Sequence, residues 1–85
     1  MPLLALLGTI RISMFYEASN KHHSPHIHAQ YNEFEAAYDF DGNIVTGKMP
    51  KSQNRTILNW ISSNQKFLID SWKKATDYAP LSRID

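Results

Sequence analysis

All four histidines of this 85-residue chain fall within seven positions, His22-His23-Ser24-Pro25-His26-Ile27-His28. Imidazole is the side chain whose unperturbed pKa lies nearest neutrality, so such a group can move protons, hold a metal or grip phosphate. Three roles suit the spacing. A pair of imidazoles, one neutral and one charged, serves as base and acid in cleaving RNA through its 2′-hydroxyl. A cation such as Arg11 would then stabilise the charge that builds on phosphorus. Alternatively, His-x-His on a strand, joined by His23 or Asp39, can bind zinc or a similar divalent metal, because positions i and i+2 share one face. In the third role the histidines hold a polar sheet face and its loop together by hydrogen bonds and do no chemistry.

Other chemistries have little to stand on. The chain has no cysteine, so a disulfide and a thiolate zinc site are excluded. Its three glycines form no phosphate-binding loop. Ser24 lies beside His23, but neighbours in sequence rarely bond as nucleophile and base. His22, on the loop side, reads as exposed.

The elements that must position the histidines follow from periodicity. Leu7 to Tyr16 is rich in β-branched and aromatic residues, with Arg11 and Ser13 alternating against Ile10, Ile12 and Met14, which predicts a half-buried strand. Glu17 to Pro25 is a polar loop. Strands are expected at His26 to Tyr31, Phe34 to Phe40 and, after the Asp41-Gly42-Asn43 turn, Ile44 to Gly47. From Lys51 the period becomes helical, with Pro50 suited to a first helical position and Ile57, Trp60, Ile61, Asn64, Leu68, Trp72 and Ala75 on one stripe. Ser62-Ser63-Asn64 predicts a break or bend, Pro80 closes the helical region, and Leu81 and Ile84 tuck back as a tail. The order ββββαα fits a single α+β domain over residues 1–85: a four-stranded antiparallel sheet with two helices on one face, Trp60 and Trp72 anchoring the helix layer.

Register then places the histidines. If Asn32-Glu33 is a two-residue hairpin loop, Tyr31 opposes Phe34, Ala29 opposes Ala36 and Ile27 opposes Tyr38, making one apolar face. On the other face Gln30 meets Glu35, His28 meets Ala37, and His26 meets Asp39. A slip by one residue would drive the histidines into the core. His26 and His28 therefore share the open face, with Asp39 set to orient His26, Ala37 leaving space over His28, and Arg11 and Ser13 on the same side.

Composition bounds the rest. A hydrophobic content of 42% supports one compact core and argues against disorder. Residues 1–50 carry three basic and five acidic side chains, and residues 51–85 carry six and three. That asymmetry is small, and a net charge of +1 argues against broad nucleic-acid affinity. The apolar run Met1 to Ile10 has no basic flank and is too short to span a bilayer, so no membrane partner is expected and the cytoplasm is the default location.

Ile12-Ser13-Met14-Phe15-Tyr16, His23-Ser24-Pro25-His26-Ile27-His28-Ala29, Ala36 to Asp39, Gly47-Lys48-Met49-Pro50, Trp60, Leu68 and Trp72 together resemble a family of short bacterial proteins, the domain of unknown function 4160 family. The resemblance covers nearly the whole chain, and the family's histidines map onto His23, His26 and His28. It implies the toxin side of a two-gene toxin–antitoxin module, neutralised by a small cognate antitoxin. One departure is Glu33, where relatives carry Gly. Type I′ turns want positive φ at both loop positions, so a strained or enlarged hairpin is expected there.

The leading expectation is a toxin inhibiting growth through the histidine face, without a cofactor, either by RNA cleavage as a metal-independent ribonuclease or by interference with translation. His26 and His28 would transfer protons, Asp39 would orient His26, and His23 and Arg11 would contact substrate phosphate. Two alternatives stand beside it. One is a non-catalytic module that docks a partner protein by its sheet edge or histidine face. The other is a hydrolase holding zinc or a similar metal through His23, His26 and His28.

Overall fold

A computed structural model describes residues 3–14, 16, 24–77 and 80–81. Five strands come first, β1 (Leu3–Leu7), β2 (Ile10–Ser13), β3 (His26–Tyr31), β4 (Phe34–Asp39) and β5 (Ile44–Gly47), followed by helices α1 (Lys51–Ser63) and α2 (Gln65–Thr76). Every strand pairs antiparallel with its neighbour in sequence, so the sheet order is β1-β2-β3-β4-β5. The architecture is the expected α+β one with an additional strand.

That additional strand, Leu-Leu-Ala-Leu-Leu, lacks the alternation that marks a half-buried strand. Gly8 makes it possible. With φ at 64°, it occupies the first position of the Gly8-Thr9 loop, where a type II′ turn needs a positive angle, and β1 folds back onto β2. A register shift between Leu3 and Ala5 then lets consecutive residues, Leu4 and Ala5, both be buried.

The β3–β4 hairpin has the expected register throughout, from His26↔Asp39 to Tyr31↔Phe34. Its loop escapes the strain expected of Glu33, because only Asn32 takes a positive φ (51°). Asparagine tolerates that region, and Glu33 is never asked to enter it.

One face of the sheet carries Ile10, Ile12, Met14, Ile27, Ala29, Ala36 and Tyr38, all buried against Ile57, Ile61, Leu68 and Ala75 of the helices. The Tyr38 hydroxyl donates to Asn54 Oδ1 at 2.6 Å, joining the sheet to α1, and burial pushes the phenol above its ordinary pKa. Pro50 is the residue just before α1, one position earlier than expected, and its carbonyl accepts the Asn54 N–H. The helical region breaks at Asn64, whose Nδ2 bonds the Trp60 carbonyl. Gln65 Nε2 donates to the carbonyls of Phe40 and Ile61, tying the β4–β5 turn to this junction. Neither helix is long and apolar enough to cross a membrane.

Candidate functional site

Three rows of side chains cross the face of the sheet that the helices leave open. Arg11, Gln30 and Glu35 form the first, Ser13, His28, Ala37 and Thr46 the second, and His26 with Asp39 the third. Successive rows are two residues apart along the strands, about 6.5 Å. The pleat explains the placement: Ile27 and Ala29 are buried under the helices, so His26 and His28 must project the other way, and both are half-buried there.

The two imidazoles lie close. Their ring centroids are 5.1 Å apart at an interplanar angle of 71°. They line an open cavity of about 530 Å³ together with Ser24, Ala37, Asp39, Val45 and Thr46. Ala37 brings no bulk above the strand, which leaves the cavity floor low beside His28. A second, smaller cavity of about 170 Å³ lies along the same face and is lined by Leu3, Arg11, Ser13, His28, Gln30 and Glu35. His28 belongs to both, so the histidine pair and Arg11 border connected parts of one surface.

His26 is held by a hydrogen bond of 2.7 Å between its Nδ1 and the Ser24 carbonyl oxygen. A carbonyl only accepts, so Nδ1 carries the proton, and in the neutral ring Nε2 carries the lone pair. The expected orienting role therefore belongs to the Ser24 carbonyl and not to Asp39. Asp39 does stand across the ladder from His26. Its carboxylate, however, serves the turn that follows β4: Oδ1 accepts the N–H groups of Asp41 (3.0 Å) and Asn43 (2.9 Å), and Oδ2 accepts Asn43 Nδ2 (3.2 Å). The Asn43 backbone N–H, aided by the Asn43 side chain and the Asp41 N–H and opposed by slight desolvation, holds this carboxyl below its usual pKa. An aspartate followed two and four residues on by backbone donors in an Asp-Gly-Asn turn is the signal that could have revealed this role.

Trp72 also reaches the site, and its helical spacing alone marked it only as a core anchor. Tyr16 follows β2, His26 opens β3 and Phe40 follows β4, so antiparallel pairing brings these three to one end of the sheet. Trp72 packs there from α2, with centroid distances of 5.7 Å to Tyr16, 5.3 Å to His26 and 6.4 Å to Phe40. His22 and His23, and the tail at Ile84, lie outside the described residues. Among the described residues no group of three His, Cys, Asp or Glu side chains is placed to hold a metal ion. The three-histidine alternative would need His23.

The family model described as a domain of unknown function, DUF4160, covers residues 9–73 and so spans β2 through most of α2. No curated protein matches the chain. No solved structure matches it.

Proposed function

The chain belongs to the DUF4160 family, and from that premise we propose that it is the growth-inhibiting toxin of a two-protein module, cleaving RNA by proton transfer at His26 and His28. The toxin assignment comes from the family resemblance. The observation that supports the chemistry is the ring pair, 5.1 Å apart beside a cavity open to solvent. One imidazole takes the proton of an RNA 2′-hydroxyl as that oxygen attacks the adjacent phosphorus. The other gives its proton to the departing 5′-oxygen, leaving a 2′,3′-cyclic phosphate and a free 5′-hydroxyl. Arg11, one row beyond His28 on the same face, supplies positive charge near the pentavalent phosphorus. Asp39 takes no part in proton transfer; it shapes the cavity wall through its turn. A net charge of +1 fits local engagement of RNA better than tight binding along a strand.

Inducible expression of the wild type, His26→Ala and His28→Ala tests this reading. Wild-type protein should arrest growth and yield RNA ends bearing cyclic phosphate, insensitive to chelator. Both variants should fold normally and lose both effects. Growth arrest that survives in both variants, or activity that needs an added divalent metal, would overturn it.

A second reading has its own observation. β5 is an edge strand whose four residues are all exposed, with Ile44 and Val45 leaving 44% and 54% of their surfaces open. Its outer N–H and C=O groups suit an added strand, and the cognate antitoxin is the partner proposed for that edge. A purely docking module would keep antitoxin binding in the histidine variants and lose that binding when β5 is blocked by Val45→Pro.

A further inference from the structure

His26 is the first residue of its strand, where a ladder ordinarily frays. Pro25 before it has no N–H to extend the pairing. Yet this ring has contacts on several sides: Ser24 holds Nδ1, His28 lies 5.1 Å away, and the indole of Trp72 lies 5.3 Å away at 55°. Only the last of these comes from outside β3 and the residues leading into it. Trp72 is itself held by the perpendicular rings of Tyr16 (85°) and Phe40 (90°), so its position is set by three strand ends at once.

We infer that Trp72 is a positioning residue of the histidine site: from the helix layer it holds the His26 ring in the pose that keeps Nδ1 on Ser24 and Nε2 available. This deepens the proposed function, and its role in activity rests on that reading, whereas its effect on the ring does not. Trp60 offers the internal comparison. It sits in the same layer, is also half-buried, and makes its ring contact with Phe67 at 6.4 Å, away from the histidines. A tryptophan that only filled the core would be replaceable at either position with the same consequence for His26.

The test records ring-nitrogen NMR signals of His26, together with growth arrest, in the wild type, Trp72→Phe, Trp72→Leu and Trp60→Phe. Trp72→Phe keeps an aromatic ring and preserves the fold for the measurement should Trp72→Leu fail to fold. The expected result is a shift of the His26 ring signals and a second tautomer in Trp72→Phe, with growth arrest weakened severalfold. Trp60→Phe should leave both unchanged at a comparable loss of stability. The inference is overturned if Trp72→Phe leaves the His26 signals where they were, or if Trp60→Phe moves them equally. A wild type that causes no arrest would defeat the toxin reading alone, because the NMR comparison would still decide the role of Trp72.

Discussion

His26 and Asp39 face each other across the β3–β4 ladder, and each is held by something else: the imidazole by the Ser24 carbonyl, the carboxylate by Asp41 and Asn43. Their proximity therefore does not make them a catalytic dyad. His26 lines the open cavity beside His28, and Asp39 braces the turn at the cavity's rim.

Asp39 should matter for stability under acid. Its folded pKa lies below the unfolded value, so its contribution is present above about pH 4 and is lost as pH falls through the lower folded value. Urea unfolding at a series of pH values should show the wild type weakening below pH 4. Asp39→Ala should be weaker already at pH 7, by about 1 kcal/mol, and should show less of the acid slope. On the proposed toxin reading, growth arrest by Asp39→Asn should persist.

Tyr38 should produce the opposite dependence. Burial raises its phenol pKa, so the stability linked to it is full below about pH 10 and falls as pH climbs through the raised folded value. Spectrophotometric titration of the phenols should show a late step that belongs to Tyr38. Tyr38→Phe should abolish that late step and cost about 1 kcal/mol at neutral pH, through loss of the bond to Asn54.

Two glycines should respond differently to alanine. Both have positive φ, 64° at Gly8 and 90° at Gly47. A Cβ on Gly8 would meet nothing within 4 Å, whereas one on Gly47 would run into the Glu35 carbonyl oxygen and come within 2.8 Å of the Ala36 Cα. Gly8→Ala should cost about 1 kcal/mol from backbone strain alone. Gly47→Ala should cost about 3 kcal/mol or more and loosen β5. Amide hydrogen exchange should then show protection lost at Ile44–Gly47 in the second variant only, with Val45 and Thr46 withdrawn from the cavity wall.

The protonation of His26 can be read directly. When the ring is neutral, nitrogen NMR should report hydrogen on Nδ1 and a lone pair on Nε2, following from the 2.7 Å contact with Ser24. Replacing Pro25 with Gly should relax the Ser24–His26 connection and mix the two tautomers.

The legible parts of this molecule were those governed by local periodicity. Alternation around Ile27 and Ala29 was enough to set the β3–β4 register, because a slip by one residue would have buried His26 and His28. The break at Asn64 was equally visible. β1 was not, since Leu3–Leu7 shows no alternation and its burial depends on a bulge against Ile12. The approach of Trp72 to His26 was beyond reach for another reason: it depends on how α2 lies over the ends of β2, β3 and β4, a tertiary relation no spacing encodes. Asp39 falls between these cases: its ladder partner follows from the register, whereas its turn contacts depend on how the Asp41-Gly42-Asn43 backbone folds back.

Because each strand of the sheet hydrogen-bonds the strand next to it in the chain, the sheet can assemble by a succession of short closures, the arrangement associated with rapid folding. The indole beside His26 arrives by a much longer loop, on the last helix. Stopped-flow measurements should accordingly see sheet formation precede the change in tryptophan environment. A nascent chain would then carry His26 and His28 in place some time before the indole of Trp72 closes on His26.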